Sequence, residues 1–458
     1  MITPAQENQR MLARILGIDE DRAAARLAQT FAVTTGSGEA TRFGAELLAQ
    51  LERTITPAPA QEACDLEIVV HAKPARASRK QVFIRITPDA VFISRSPLAV
   101  DQPPDLHGVQ RVIGACYAAS AALATVIENI EPASAADPFI VRFDALGATN
   151  EILNTPICLD DTVLVGAGAV GNGFLRAARH LAIEGELTIA DPKVVGAGNP
   201  NRCLYFGEAD VGAPKASTLA DHAQTDFPRL TLRSFVGTFT DVVNRRGRVR
   251  RAIIGADSRQ ARRSVQNDLP IEVLDASTTG AVEVIVHSHR QPNADACLAC
   301  IYKHVPDELA RARDIAAGLG VDLADITSGA LIGSRVARLI KEKHPTLDEA
   351  ALIGMAFDSL FKQLCAEQAL ISAAGEQALA PFAFVSNLAG ALLALELARF
   401  ESGVRFKDGK NYLFANPWAP PHQYLRRLRH RVDACAFCGD PATHDVLCTV
   451  WPELKEAS

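Results

Sequence analysis

The stretch that decides the fold is Thr162-Val163-Leu164-Val165-Gly166-Ala167-Gly168-Ala169-Val170-Gly171. Its first four residues are β-branched or apolar, which is typical of a buried strand. The glycines Gly166, Gly168 and Gly171 then let the backbone turn sharply and come close to a ligand. Backbone N–H groups at the start of a helix bind phosphate, with help from the helix dipole. The stretch therefore predicts a strand–turn–helix unit that binds a nucleotide.

Strand and helix patterns alternate after this unit. Glu186-Leu187-Thr188-Ile189-Ala190 and Arg251-Ala252-Ile253-Ile254-Gly255 are further strand candidates, with helical periodicity between them. Alternation of this kind predicts a mostly parallel sheet with helices on both faces. The predicted fold class is α/β, with a Rossmann-like sheet.

An acidic residue follows the second predicted strand. Asp191 lies twenty residues after Gly171, where a carboxylate binds ribose hydroxyls in dinucleotide folds. The glycines and Asp191 alone favour a nicotinamide or flavin oxidoreductase, and that reading is kept as one alternative.

Four further polar residues point to a different chemistry. They are Asn199, Arg202, Lys215 and Asp257. Two cations can stabilise negative charge on an α-phosphate and on pyrophosphate, and an aspartate can hold Mg²⁺. A hydride-transfer enzyme has no need of this set at the phosphate end. The combination favours nucleotidyl transfer.

The order of these motifs resembles a known family. Gly-x-Gly-x-x-Gly, Asp, Asn-x-x-Arg, Gly-x-x-Lys and Asp-x(4)-Arg follow one another as in the adenylation domain of ThiF, MoeB and ubiquitin-activating enzymes, over about residues 140–303 and again near 380–440. The resemblance implies that ATP binds the three glycines and Asp191. It maps the nucleotide-binding Asn-x-x-Arg element onto Asn199 and Arg202, the phosphate lysine onto Lys215 and the Mg²⁺ aspartate onto Asp257.

The resemblance also implies an upstream arginine that reaches an ATP, often the one bound in the partner subunit, and it has two departures. Arg142 lies 24 residues before Gly166 and is the candidate, although an ordinary arginine at a strand end is the other reading. Lys193 stands where the family usually has a second acid, and Cys203 stands where it commonly has glutamine.

Two short cysteine pairs predict a metal site. They are Cys297-Leu298-Ala299-Cys300 and Cys435-Ala436-Phe437-Cys438, separated by 134 residues. Four thiolates in two such loops suit tetrahedral Zn²⁺. Members of the resembling family often carry a structural zinc in this split arrangement.

One cysteine between the pairs is the candidate for covalent chemistry. In ubiquitin-activating members a cysteine in this interval receives the adenylated carboxylate as a thioester, which here implies Cys365. A buried cysteine on an apolar helix face is the alternative. Cys203 is a weaker nucleophile candidate, and Cys64, Cys116, Cys158 and Cys448 are expected to pack in the interior.

The implied function is ATP-dependent adenylation of the C-terminal glycine of a ubiquitin-like protein. A thioester on Cys365 would follow, and then transfer to a ubiquitin-conjugating-type enzyme. A sulfur-carrier adenylyltransferase without an enzyme thioester is a further alternative. The long N-terminal extension resembles the bacterial ubiquitin-activating enzymes of antiviral defence operons, the BilD type, and family members commonly pair as homodimers.

Composition and length suggest several domains. A chain of 458 residues exceeds what one core usually supports. We predict an N-terminal α/β domain at 1–138, helical over residues 1–60, that is a degenerate copy of the main domain or a docking module. The nucleotide-binding half spans 139–304, a helical insertion 305–378 and the rest of the adenylation domain 379–458.

The charge balance excludes some partners. The net charge is −6, which gives no reason to expect nucleic acid or an anionic membrane. The N-terminus has no signal-peptide pattern, so we expect a cytoplasmic protein with reduced cysteines. Its most apolar stretch, 382–400, contains polar residues and is predicted to be a buried helix rather than a membrane span.

Overall fold

The computed structural model of the chain describes residues 3–127, 129–130, 133–279, 282–292, 295–302, 308–327, 332–355, 357, 360–361, 364 and 381–455. Their strands form two sheets. The strands are β1 Thr30–Thr35, β2 Thr56–Pro57, β3 Cys64–Val70, β4 Ser78–Ile86, β5 Ala90–Ser94, β6 Phe139–Arg142, β7 Ile157–Cys158, β8 Thr162–Val165, β9 Ile183–Ala190, β10 Leu230–Phe235, β11 Arg251–Ile254, β12 Glu272–Thr279, β13 Glu283–Arg290, β14 Tyr412–Ala415 and β15 Arg426–Arg427.

Helices connect and cover these strands. They are α1 Pro4–Leu16, α2 Glu20–Leu27, α3 Glu39–Leu51, α4 Gly108–Val126, α5 Phe143–Leu146, α6 Asn150–Leu153, α7 Ala169–Ala178, α8 Lys215–Ala223, α9 Phe239–Arg246, α10 Arg259–Asn267, α11 Leu298–Ile301, α12 Glu308–Leu319, α13 Leu323–Thr327, α14 Ser334–Lys343, α15 Glu349–Leu352, α16 Ala383–Glu401, α17 Val404–Asp408 and α18 Pro441–Val450.

The C-terminal sheet confirms the predicted α/β class. Its order is β10-β9-β8-β11-β12-β13-β14-β15, and β7 also pairs with β9. The five strands β10, β9, β8, β11 and β12 are parallel to one another. Strands β13, β14 and β15 are each antiparallel to the strand before them in the sheet order. The parallel half is the Rossmann-like part, and its central strands β8 and β11 are buried.

The N-terminal sheet has the order β2-β1-β3-β4-β5-β6. Its last strand, Phe139–Arg142, hydrogen bonds to β5, so this sheet includes four residues beyond the boundary predicted at 138. The prediction that residues 1–60 are helical is wrong for Thr30–Thr35, which forms β1. The Thr and Val residues of this segment favour a strand, and pairing with β3 stabilises it.

The two sheets share one strand order. In each sheet, one strand is followed along the chain by a Gly-x-Gly turn and a helix. That strand pairs on one side with the next strand of the chain and on the other side with a second parallel strand. A further parallel strand and two antiparallel strands come next, and a long helix connects the antiparallel pair. Thus β1–Gly36-Ser37-Gly38–α3 corresponds to β8–Gly166-Ala167-Gly168–α7.

The copies differ at the start of the helix after the glycines. In the N-terminal copy, the Glu39 carboxylate is buried at the first position of α3. Arg111 donates to it from Nε at 2.6 Å and from Nη2 at 2.9 Å. A carboxylate of the protein thus lies at the end of the helix where an external anion would bind.

Helix α16 joins the two halves. It packs against α7, α4, β12 and β13, and every residue from Ala383 to Phe400 is buried. This confirms the predicted buried helix. The helices Gly108–Val126 and Ala383–Glu401 are long and apolar enough to cross a membrane, but core helices pass the same test, and the apolar window of the second is wholly buried in the protein.

The segment predicted as a helical insertion has its own small core. Helices α12 and α14 contribute Ile315, Leu319, Val336 and Ile340, and Leu364 packs with them. Cys365 lies outside the described residues, so the structure gives no account of its surroundings.

Candidate active site

The parallel strands bring the predicted nucleotide residues to one edge of the C-terminal sheet. Strands β9, β8 and β11 are neighbours and run in the same direction. The glycine loop follows β8, Asp191 follows β9 and Asp257 lies three residues after the end of β11. The carboxyl edge of such a sheet is where ligands bind in doubly wound folds.

The three glycines of the loop have different surroundings. Gly166 has a φ of +100°, and a Cβ there would lie 3.0 Å from backbone atoms of Gly255 and Ala256. A Cβ on Gly171 would lie closer than 3.0 Å to the carbonyl oxygen of Gly166. At Gly168, by contrast, a Cβ would meet nothing within 4 Å. Two glycines therefore permit packing, and Gly168 keeps the approach to the start of α7 open.

Asp191 holds the glycine loop through a hydrogen bond to its backbone. Its side chain is 6% exposed, and Oδ2 accepts a hydrogen bond from the backbone N–H of Ala167 at 2.8 Å. Oδ1 accepts from the backbone N–H of Lys193 at 2.8 Å. Each carboxylate oxygen has a second lone pair, so Asp191 can also accept a hydrogen bond from a ribose hydroxyl.

Lys215 is placed beside Asp191 by a short backbone pairing. Val194 bridges to Pro214, and the Lys215 N–H donates to the Lys193 carbonyl at 2.9 Å. The Lys215 side chain is 9% exposed. Burial lowers the pKa of its ammonium group, and the Asp191 carboxylate opposes that change. A cation in so dry a place interacts strongly with an incoming phosphate.

Asn199 and Arg202 lie in one tight turn. The Asn199 Oδ1 accepts from the Gly196 N–H at 2.9 Å, which holds the turn closed. Arg202 donates from Nη1 to Asn201 Oδ1 at 2.7 Å. Asn387 of α16 donates to the Arg202 carbonyl at 3.5 Å. Contacts with neighbouring residues of the turn hold the Arg202 side chain in place, and Arg202 is half-buried.

Asp257 is the most open carboxylate of the group. Its side chain is 60% exposed, and the Lys193 ammonium lies 3.0 Å and 3.2 Å from its two oxygens. Carboxylate oxygens are the ligands that Mg²⁺ prefers, and Mg²⁺ is commonly held by one or two carboxylates together with substrate phosphates. Asp257 therefore fits the predicted magnesium role.

Arg262, which completes the Asp-x(4)-Arg pattern, is structural. It is 3% exposed, donates from Nε to Asp275 Oδ1 at 2.6 Å and donates from Nη1 to the Ser258 carbonyl at 3.3 Å. Burial opposes its charge, but the Asp275 carboxylate more than offsets this, so the pKa of Arg262 is raised. Arg262 anchors the segment that carries Asp257.

The structure does not bring Arg142 into this group. Arg142 lies on β6, an edge strand of the N-terminal sheet, and pairs with Asp144 at 2.8 Å with a side chain 60% exposed. Another arginine of the N-terminal domain borders the site. Arg53 precedes β2 at the opposite edge and donates to the Pro200 carbonyl at 2.9 Å. Its charge acts on the Cys203 thiol, as do those of Arg202 and Lys215.

Sequence reasoning missed Arg53 because nothing in its surroundings, Glu52-Arg53-Thr54, forms a motif. Its place depends on how the two domains pack. Asn8 of α1 donates from Nδ2 to the Arg53 carbonyl, and Asn201 in turn donates to Asn8 Oδ1 at 3.3 Å.

Cys203 lies among the cations but is a poor nucleophile. It is 1% exposed, and burial raises the pKa of its thiol, although Arg202 and Lys215 act in the opposite direction. The expected interior positions of Cys64, Cys116 and Cys448 are confirmed. The expectation is wrong for Cys158, which is exposed and donates to Asp160 Oδ2 at 3.2 Å.

The two cysteine pairs meet in a buried cluster. The Sγ atoms of Cys297, Cys300, Cys435 and Cys438 all lie within 4.8 Å of one another. Neighbouring sulfurs are 3.8, 3.7 and 3.5 Å apart, too far for a disulfide. Four zinc–sulfur bonds of about 2.3 Å in a tetrahedron place the sulfurs about 3.8 Å apart. The cluster therefore fits the predicted structural zinc.

Family models match both halves of the chain. The model for the ThiF family matches residues 160–436, and the model for the E1 N-terminal domain matches residues 1–149. The chain belongs to the ThiF family. The first match covers the glycine loop, Asp191, the turn with Arg202, Lys215, Asp257 and most of the zinc cluster.

Two curated relatives match parts of this ThiF-family chain. The uncharacterized protein y4jF of Sinorhizobium fredii is 28% identical over 268 residues, which is 55% of this chain and 51% of that protein. The NEDD8-activating enzyme E1 catalytic subunit of Saccharomyces cerevisiae is 32% identical over 83 residues, 18% of this chain and 28% of that subunit. The chain thus spans about half or less of the length of these relatives.

Solved structures overlap this chain partially. Escherichia coli MccB with AMPCPP and MccA gives a TM-score of 0.34 at 12% identity over 64% of this chain and 68% of that chain. MccB with MccA-N7isoASN gives 0.34 at 14% identity over 78% and 98%.

Proposed function

We propose that this chain uses ATP to adenylate a carboxylate, and that the carboxylate is the C-terminal glycine of a ubiquitin-like protein. One observation carries the proposal. The glycine loop, Asp191, Arg202, Lys215 and Asp257 lie at or beside one carboxyl edge of the sheet, and the charges of Arg202 and Lys215 both act on the Cys203 thiol there. Membership of the ThiF family supports the same chemistry.

The site performs the reaction mainly through position and charge. A carboxylate is already a nucleophile, so the site needs no general base to activate it. One carboxylate oxygen attacks the α-phosphorus, the bond to the bridging oxygen breaks, and pyrophosphate leaves with that electron pair. Arg202 and Lys215 stabilise the charge that builds on the phosphate oxygens. Mg²⁺ held by Asp257 would neutralise part of the charge of the leaving pyrophosphate.

Two findings support a ubiquitin-like protein as the substrate. Residues 1–149 match the E1 N-terminal domain, and 83 residues resemble the yeast NEDD8-activating subunit. We propose that the acyl-adenylate then passes to Cys365. The thiolate sulfur would attack the acyl carbon, AMP would leave, and the thioester would go on to a conjugating enzyme.

Exchange of radiolabelled pyrophosphate into ATP tests the first step. The protein with a suitable ubiquitin-like protein ending in glycine should support exchange, and the same protein lacking its final glycine should not. Turnover of NADH without any exchange would instead favour the oxidoreductase.

The thioester step needs its own test. Cys365→Ala should retain pyrophosphate exchange and lose an adduct that is stable in SDS and cleaved by a thiol reductant. Cys158→Ser, at an exposed thiol, is the matched control and should keep both. An adduct that survives in Cys365→Ala would place the thioester on another cysteine. Pyrophosphate exchange by the wild type without any such adduct would favour the sulfur-carrier type of adenylyltransferase.

A further inference from the structure

Lys193 lies between Asp191 and Lys215, two residues that the proposed reaction uses. Its backbone N–H donates to Asp191 and its carbonyl accepts from the Lys215 N–H at 2.9 Å, so its main chain is fixed between the ribose carboxylate and the phosphate lysine. Its ammonium group reaches across to the carboxylate of Asp257. The positive charge of Lys193 also lowers the pKa of Lys215.

The contact with Asp257 uses the same atoms that a metal would use. The ammonium is 3.0 Å from Oδ2 and 3.2 Å from Oδ1, so it lies on the open edge of the carboxylate. A divalent cation on that edge and an ammonium group in the same place repel each other strongly. The two can therefore occupy Asp257 in turn but not together in this geometry.

The contact is also easy to exchange. The Asp257 side chain is 60% exposed and that of Lys193 is 23% exposed, and ion pairs open to water contribute little to stability. A lysine has a flexible four-carbon stem and three donors on a point charge, so it can turn toward another anion close by.

We propose that the Lys193 ammonium holds the Asp257 carboxylate before the metal–nucleotide complex binds and releases it when that complex binds. The Lys193 ammonium then moves to the nucleotide phosphates beside Lys215, and the Asp257 carboxylate would hold Mg²⁺. Lys193 thereby links metal binding to nucleotide binding, because its ammonium leaves the Asp257 carboxylate for the nucleotide phosphates. This inference rests on the proposed function and adds a positioning residue to it.

The test measures metal and nucleotide binding separately, with no need for turnover. Mn²⁺ serves as the probe for the metal, and its affinity is measured by electron paramagnetic resonance without nucleotide. ATP affinity is measured by calorimetry in EDTA. Lys193→Met should bind Mn²⁺ about fivefold more tightly, the size expected for losing a half-exposed ion pair. It should bind metal-free ATP about fivefold less tightly, while Lys193→Arg should stay close to the wild type in both.

Two further variants make the result specific. Lys73→Met makes the same charge change at an exposed site in the N-terminal domain and should change neither affinity. Lys193→Met with Asp257→Asn should lose the gain in Mn²⁺ affinity, because that gain requires the carboxylate. Unchanged Mn²⁺ affinity in Lys193→Met, or unchanged affinity for metal-free ATP, would overturn the proposal.

Failure of the proposed function looks different. A wild-type protein that binds no ATP and exchanges no pyrophosphate would contradict the proposed adenylation activity itself. Normal exchange by the wild type, together with unchanged Mn²⁺ affinity in Lys193→Met, would remove only the role of Lys193.

Discussion

Lys215 shows how one side chain acquires its properties from its position. The lysine begins α8, and pairing of Val194 with Pro214 holds it against the loop that carries Asp191. Burial makes its charge costly, and Asp191 keeps the charged form in place. Such a cation attracts a phosphate strongly, because little water screens its charge.

Replacing Lys215 should therefore impair the chemistry more than the fold. We expect Lys215→Met to slow ATP–pyrophosphate exchange about a hundredfold, which is the usual cost of losing one preorganised charge at a developing anion. Lys407→Met, at an exposed position on α17, should leave exchange unchanged. A Lys215→Met protein that retains the full rate of pyrophosphate exchange would show that Lys215 takes no part in the reaction.

At the scale of elements, the crossing of α7 and α16 supports the glycine loop. Gly173 and Gly390 face each other there, and a Cβ on Gly390 would lie closer than 3.0 Å to backbone atoms of Gly173 and Phe174. Backbones can come this close only where neither residue has a side chain. The start of α7, and with it the loop, is thus held directly against the central helix.

A methyl group at that crossing should destabilise the protein. We expect Gly390→Ala to lower the free energy of unfolding by about 2–3 kcal/mol, because backbone atoms must move apart. Gly333→Ala is the control, since a Cβ there would meet nothing within 4 Å. Urea denaturation followed by tryptophan fluorescence measures both, and equal stabilities would show that the helices adjust without cost.

The cluster of four cysteines connects elements far apart in the chain. Cys297 and Cys300 flank the start of α11, and Cys435 and Cys438 precede α18. Trp451, just after α18, donates to the Leu269 carbonyl at 2.8 Å and packs with the same cluster of residues. A metal there would fix the C-terminal segment to the main sheet.

Metal analysis tests this directly. The purified protein should contain one zinc per chain, and Cys435→Ser should contain less than half of that and melt at a lower temperature. Cys158→Ser should keep the full zinc content, because that thiol is exposed and far along the chain from both pairs. Zinc content that stays at one per chain in Cys435→Ser would contradict the assignment.

At the scale of the whole molecule, the two halves are joined by a buried ion pair. Glu46 of α3 is 5% exposed and accepts from Arg176 of α7 at 2.8 Å and 3.0 Å. Burial alone would raise the pKa of Glu46, but Arg176 and Arg179 outweigh it, so the pKa is lowered. The helices that this pair joins are the two that follow the Gly-x-Gly turns of the repeated fold.

A lowered carboxyl pKa in the folded state has a defined pH signature. The ion pair contributes stability above the unfolded pKa of 4.5, and that contribution is lost as pH falls through the folded value. We expect Glu46→Gln to cost about 3 kcal/mol at pH 7, because Arg176 is left buried without its partner. The difference between variant and wild type should shrink at low pH, where Glu46 is protonated.

Thermal unfolding at pH 7 and at low pH measures this difference. Asp144→Asn, which breaks the exposed pair with Arg142, should change stability by less than about 0.5 kcal/mol at either pH. A Glu46→Gln protein as stable as the wild type at pH 7 would show that the domains do not depend on the pair.

The sequence by itself determined the parallel sheet, the glycine loop and the membership of the zinc cluster. These follow from local patterns, since strand periodicity, glycine spacing and paired cysteines act within a few residues. It did not find β1, because a short strand between helices is stabilised by its pairing with β3.

Only the tertiary structure decided which distant charges meet. It placed Arg53 at the site and Arg142 at an outer edge of the N-terminal sheet, and it put the Lys193 ammonium on Asp257. It also revealed that the N-terminal sheet repeats the order of the main sheet, with the Glu39 carboxylate at the start of its helix. Electrostatic interactions depend on separation in space, and the packing of two domains sets that separation in ways that no local pattern encodes.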